Sequence, residues 1–525
     1  MCTITKQIFA KNNLDSAIPA IAGFLIILIY TRHSGIGISP DSVVYMSVAR
    51  NIHAHGALLD FNARPLVIFP AFYPAFLSAI MFITTLDPMQ FAPILNAFLF
   101  ALVIHLSGWI MEKFLTTSKW YKHFILSCIV ISPCLLEIYS MLWSETLFIL
   151  LLLFFIIALK NYFNEHTVKA MLPIAIITGI ACITRYAGVT FAGTFALFLV
   201  LEHKINKKEK IRQLLLFGIV SSLPLLINLI RNRIADGTST GMREESLTSF
   251  HYNIFHYGDT LCDWLPLPNY FVLSFYTGLI IITLFCILFL HNYHRVNLHH
   301  TYENILVAYF VIYSLFIVLT ATFSRYELIN SRLLSPIFIP MLLGGSYILL
   351  RFLKKTGLKM RIWMTVISLI FFALFQLNQY LEDYENYDGI KDAGIPGYTE
   401  DPWQKNSEIV NFLRKNPAIF KSGYNIYSNS DDALYFFTGL RCDMLPHLLF
   451  PQEIKDFYLE RRCYLVWFND TDNPELLNLQ DVLTNKKMIL LHQFSNGAIY
   501  ITDDAAIATS KKILPAAQQV AKPIP

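Results

Sequence analysis

Eleven apolar runs punctuate the first 379 residues of this chain, each approaching the roughly 20 residues that a helix needs to cross a hydrocarbon core. They lie near residues 17–31, 91–111, 123–142, 146–161, 170–185, 187–202, 211–230, 270–290, 304–322, 333–350 and 362–379. Only 15% of residues are charged and the mean hydropathy is +0.48, whereas soluble domains carry about a quarter charged residues. The chain therefore reads as an integral membrane protein. Signals of a β-barrel are absent, so the expectation is an α-helical polytopic bundle of about 11 transmembrane helices. A net charge of +4 spread over membrane-flanking loops excludes nucleic acid as a partner. The eight cysteines show no metal-ligand spacing. Cys128, Cys182 and Cys286 fall inside apolar runs as buried thiols, and only Cys442 and Cys463 remain open to bridging.

Basic loops set the expected orientation, because Lys and Arg accumulate on the cytoplasmic side. Two clusters dominate: Lys204, Lys207, Lys208, Lys210 and Arg212, then Arg351, Lys354, Lys355, Lys359 and Arg361. Four crossings separate them, so both can face inward. Lys6 and Lys11 precede the first span and no small-residue cleavage pattern clearly follows it, which predicts an uncleaved anchor with a cytoplasmic amino terminus. Residues 66–86 are long enough to span, yet a crossing there would invert the terminus. With Pro70 and Pro74 breaking the helix near its start, this segment is expected to be re-entrant or juxtamembrane and to wall a cavity. After about residue 380 charge rises and apolar runs shorten to strand length, as at 464–468 and 488–491. The expected division is a transmembrane domain at 1–379, a soluble extracytoplasmic α/β domain at 380–510 and a disordered tail at 511–525 rich in Ala, Gln and Pro.

Asp41 stands about ten residues beyond the first span, after Pro40. From there Val44, Tyr45, Val48, Ala49 and Ile52 recur at helical spacing while Ser42, Ser47, Arg50, Asn51 and His53 face the other way, predicting an amphipathic helix lying on the membrane surface. Asp41 is placed to cap that helix or to serve as a catalytic acid. Glu145 at the mouth of the fourth span and Arg185 between the fifth and sixth are ionisable groups at membrane depth, which mark a site by default; Glu145 as a cap and Arg185 as a snorkelling side chain are the alternatives. On the same outer face come Arg231, Arg233 and Arg243, then Arg325, Glu327 and Arg332. External arginines run against the positive-inside tendency, and guanidinium forks suit phosphate oxygens.

Several stretches together resemble the GT-C superfamily of polytopic glycosyltransferases, which includes protein O-mannosyltransferases and the lipid A aminoarabinose transferase. They are Asp41-Ser-x-x-Tyr45 with Ala49 and Arg50, Phe69-Pro-Ala-Phe-Tyr-Pro74, Ser144-Glu145, Thr184-Arg-Tyr186, Asn330-Ser-Arg-Leu-Leu-Ser-Pro336 and, near the carboxyl end, Ile426-Tyr-Ser-Asn-Ser-Asp-Asp-Ala-Leu-Tyr-Phe-Phe-Thr-Gly439. The resemblance implies that Asp41 matches the acid at the reacting centre and Glu145 a second external acid, and that the donor is a sugar on a polyprenyl phosphate or diphosphate. Ser42 stands where the O-mannosyltransferases have a second acid, and Val44 and Phe69 stand where the aminoarabinose transferase has basic residues. Donor-phosphate contacts are therefore expected from Arg185, Arg243 and Arg332, with Tyr45, Arg50 and Tyr73 lining the substrate cavity. No ligand set for a divalent metal is visible, and metal dependence is left open.

The expected function is inverting glycosyl transfer from a polyprenyl-phosphate-linked sugar to a lipid, glycan or protein acceptor on the outer face of the inner membrane, with Asp41 as general base. Two rival readings are a lipid-linked glycan transporter or flippase, against which the lack of paired repeats speaks, and an inactive scaffold of an envelope polysaccharide complex.

Overall fold

The computed structural model describes residues 15–114, 118–241, 245–246, 248–265, 267–295, 298–324, 327–471 and 473–502. Lys6, Lys11, Arg243, Arg325 and the tail at 511–525 lie outside them. The chain divides into two compact units: residues 37–64 with 393–525, and the remainder.

The larger unit is all helix. Seven of its helices are long and apolar enough to cross a membrane: Pro88–Met111, Glu145–Glu165, Lys207–Asp236, Phe271–Tyr293, Tyr302–Phe323, Ser331–Arg351 and Leu358–Ala393. The protein is therefore a multi-pass membrane protein. Three further apolar runs form shorter helices, Ala17–Tyr30, Val168–Thr184 and Val189–Leu201. The run at 123–142 is two helices, Lys119–Val130 and Pro133–Ser140, bent by 53°, because Pro133 disfavours helical backbone at Ser132. Elsewhere side-chain caps set the starts: Asp87 accepts from the Met89 amide at 3.0 Å, Asn206 from Glu209 at 2.8 Å and Asn330 from Leu333 at 3.0 Å. Whole faces of Lys207–Asp236 and Phe271–Tyr293 leave Ile219, Ile227, Val272 and Ile280 exposed, which suits hydrocarbon. Helix Glu145–Glu165 is instead buried on nearly every side.

The segment at 66–86 is irregular up to Pro70 and then forms a helix of 13 residues, Phe72–Thr84, with Pro74 in its first turn. At a rise of about 1.5 Å per residue this helix reaches about 20 Å, short of the roughly 30 Å hydrocarbon core. Its irregular lead has its carbonyls satisfied by neighbouring side chains: Arg231 Nη1 donates to Leu66 O, Asn232 Nδ2 to Val67 O at 3.3 Å, and Tyr186 OH to Val67 O at 3.4 Å.

The smaller unit is discontinuous. Its sheet contains β1 (Asn425–Ser428), β2 (Asp443–Met444), β3 (Cys463–Phe468), β4 (Met488–Phe494) and β5 (Gly497–Thr502) in the order β2-β1-β3-β5-β4. The β1 pairings with β2 and β3 are parallel, whereas β5 is antiparallel to both β3 and β4. Helix Asp431–Thr438 makes the crossover from β1 to β2. The apolar runs read as strands at 464–468 and 488–491 fall in β3 and β4. Cys442 and Cys463 are both buried free thiols.

Residues 37–64 are knitted into this sheet domain. The Tyr398 amide donates to Ile38 O at 2.9 Å, an approach that Gly397 allows because its φ is +111° and a Cβ there would meet Ile38 O at 2.4 Å. Asn62 Nδ2 donates to Cys442 O at 2.7 Å, Arg64 pairs with Asp443 at 2.6 Å, and Phe61 stacks on Tyr435 at 4.9 Å. Helix Pro40–His55, closed at its start by a Ser39/Ser42 capping box, packs against helix Asp431–Thr438. The expected surface-lying amphipathic helix is instead embedded: Ser42 and Ser47 are buried along with Tyr45 and Val48, and Val44 is only half-buried. Small hydroxyls tolerate such burial when bonded, and Ser47 donates back to Val44 O at 2.9 Å.

Three acids meet in this unit. Burial pushes the Asp431 carboxyl up to about 7, with the charge of Asp432 adding to the effect. Burial likewise raises Asp432, which Asp41 raises further and the Tyr398 hydroxyl, 2.9 Å from both carboxylate oxygens, opposes. Because Asp431 holds its proton more tightly folded than unfolded, its contribution to stability is complete below about pH 4 and is lost as pH rises through about 7. Thermal melts of the full-length protein in detergent are expected to fall across pH 5–8, by up to about 1.4 kcal/mol per pH unit for one proton. Asp431→Asn should flatten that slope and raise the midpoint at pH 8; an unchanged slope would remove Asp431 as its source.

Candidate active site

In the helical unit, Glu145 opens helix Glu145–Glu165 and is fully buried. Its Oε1 accepts from Arg185 Nη1 at 2.6 Å and from Arg332 Nε at 2.7 Å. Arg185 reaches it because the chain turns extended at the end of helix Val168–Thr184. Arg332 reaches it from the first turn of helix Ser331–Lys355. Arg185 Nη1 also donates to Ser144 Oγ at 3.0 Å, and the Arg332 guanidinium lies 4.1 Å over the Trp143 ring. Two guanidinium groups thus converge on one oxygen of a buried carboxylate, and the Glu137 carboxyl lies close enough to interact with both Arg332 and Glu145. Such a centre can hold an anion with two geometrically fixed forks.

The sheet-containing unit carries a group of acids. Asp41 sits half-buried in the first turn of helix Pro40–His55, with the Asp431, Asp432 and Tyr398 groups in the same unit. Tyr45 is buried one turn along and Arg50 is half-buried a turn and a half beyond it. Tyr73 is fully buried, in the helical unit. The structure brings together Glu145, expected as a second acid, and Arg185 and Arg332, expected as phosphate ligands, which the sequence had named for separate roles. Sequence reasoning passed over Trp143, immediately ahead of Ser144-Glu145, and it quoted Asp431-Asp432 without giving the doublet a role. Tyr398 had no local signal at all.

Neither a protein-family model nor a curated protein sequence matches the chain. Solved structures do. ArnT from Cupriavidus metallidurans in the apo state superposes with a TM-score of 0.56 at 12% identity, over 94% of this chain and 98% of that one. ArnT bound to undecaprenyl phosphate gives 0.57 at 11% identity, over 93% and 97%. The archaeal oligosaccharyltransferase AglB from Archaeoglobus fulgidus, in complex with an inhibitory peptide and a dolichol-phosphate, gives 0.55 at 10% identity, over 95% of this chain and 75% of that one. The chain has the GT-C fold.

Within that GT-C fold the Glu145 centre joins three helix ends through one oxygen atom. Removing the carboxylate leaves two guanidinium groups facing each other in a buried setting, for which the expected cost is about 3–5 kcal/mol. Glu145→Ala should therefore lower the thermal midpoint of the purified protein sharply, and Glu145→Gln, which keeps an acceptor, should lower it less. Equal midpoints for wild type and Glu145→Ala would mean that this pairing does not hold the helix ends together.

Proposed function

We propose that the protein is a glycosyltransferase that moves a sugar from a polyprenyl-phosphate-linked donor to an acceptor on the extracytoplasmic face of the inner membrane. The observation that carries this reading is the convergence of Arg185 and Arg332 on the buried Glu145 within a GT-C fold. The likeness to ArnT bound to undecaprenyl phosphate, and to AglB with a dolichol-phosphate and a peptide, supports a donor and an acceptor of these kinds.

Arg185 and Arg332 hold the donor phosphate and offset the charge that develops on it as the glycosidic bond breaks. Arg243, outside the described residues, is a third candidate for the same task. Glu145 acts through the arginines, fixing their forks, rather than on the sugar. Asp41 takes the proton from, or orients, the acceptor nucleophile that attacks the anomeric carbon from the opposite side, which inverts its configuration. Tyr45 and Arg50, on the helix of Asp41, and Tyr73, in the helical unit, are further candidates for substrate contact. In this reading the amino terminus is cytoplasmic and the carboxyl-terminal domain extracytoplasmic.

Transfer of radiolabelled sugar from extracted native lipid-linked donors to membrane acceptors tests the proposal. Asp41→Asn is expected to lose about 100-fold or more in rate at equal expression, and Arg332→Lys to weaken donor use while the protein still folds. Activity retained in Asp41→Asn would take Asp41 out of the mechanism. If the folded wild-type protein moves no label from any lipid donor, the transporter and scaffold readings replace this one.

A further inference from the structure

Among the described residues one group of three potential metal ligands converges, and within the helical unit it lies far from Glu145. His166 caps the end of helix Glu145–Glu165, so it stands about 30 Å along that helix from Glu145. Glu202 follows helix Val189–Leu201, and His300 precedes helix Tyr302–Phe323. His166 Nε2 lies 3.0 Å and His300 Nε2 2.6 Å from the same oxygen, Glu202 Oε2. The three atoms are all within 4.8 Å of one another.

The surroundings fix these groups in place. The Lys204 amide donates to Glu202 Oε1 at 2.8 Å, so Oε1 is engaged and Oε2 faces the imidazoles. Gln213 Nε2 donates to the His166 carbonyl at 3.0 Å, and the His300 ring stacks on Phe163 with centroids 4.3 Å apart. Outer contacts of this kind orient ligands in metal sites. A fourth group lies beside the three: His299 is 5% exposed, its ring centroid is 4.6 Å from that of His300, and neither of its ring nitrogens has a hydrogen-bond partner. A buried imidazole with both nitrogens unsatisfied is costly, and a metal ion or a metal-bound water beside it would supply a partner.

We propose that His166, Glu202 and His300 bind a divalent transition-metal ion, with Zn2+ as the first candidate, that ties three interhelical connections together at the end of the bundle away from Glu145. Two imidazole nitrogens and one carboxylate oxygen are a known ligand set for such ions. Ligands about 2.0–2.1 Å from a tetrahedral ion stand about 3.3 Å apart, so the present spacing closes onto an ion with small side-chain shifts. The fourth position falls to water or to His299. The role is structural, independent of the transfer chemistry proposed above.

The test is metal content of the full-length protein in detergent, after equilibration with micromolar Zn2+ and removal of loose metal by gel filtration. Wild type is expected to retain about one Zn2+ per chain. His166→Ala and His300→Ala should each weaken binding by more than about tenfold, and Co2+ substituted into wild type should give the intense visible absorption of a tetrahedral site. Added Zn2+ should raise the thermal midpoint of wild type but not of either variant, which also shows that the variants are folded. Wild type without stoichiometric metal, or variants that keep as much metal as wild type, would overturn the proposal.

Discussion

A buried carboxylate shared by two guanidinium groups is the constraint around which the helical unit is arranged. Glu145 at the start of its helix and Arg185 at the end of its own each stand at the favourable pole of a helix dipole. Arg332 does not: it lies in the first turn of helix Ser331–Lys355, where a positive charge is disfavoured. Its place there is held by Glu145 and by the face of Trp143. A chain optimised for stability alone would fill such a position with an apolar or acidic residue.

The discontinuous unit gathers acids instead. The helix bearing Asp41 is built into the sheet domain by the Tyr398–Ile38 backbone bond, the Asn62 and Arg64 contacts and the Phe61–Tyr435 stack. Its acid therefore shares an environment with Asp431 and Asp432, whose burial favours their protonated forms.

How much of this was legible in sequence follows from the range of the interactions. Each apolar run maps onto helix, since hydropathy reads the solvent of a segment directly, and β3 and β4 were visible as apolar runs of strand length. The bend at Pro133 was readable in principle, as an X-Pro step inside an apolar run, but length alone masked it. The embedding of helix Pro40–His55 was not readable. Its polar face, Ser42 and Ser47, is made of hydroxyls that satisfy themselves locally, so periodicity cannot tell a covered face from a wet one. The union of residues 37–64 with the chain beyond 393 rests on contacts between residues more than 300 positions apart. No local pattern encodes them.

The arginines on the expected outer face show why residue type and side of the membrane do not suffice to assign a role. Arg231 looked as suited to a phosphate as Arg332, yet its Nη1 donates to the carbonyl of Leu66 beside Asn232. That segment is irregular, so its carbonyls lack the partners a helix would give them and must find them in side chains. Arg231 thus serves a backbone that cannot bond to itself. Arg185 and Arg332 instead converge on the carboxylate of Glu145. Which of these tasks a guanidinium takes depends on its three-dimensional neighbourhood, and residues 145, 185 and 332, far apart in sequence, meet only in the fold.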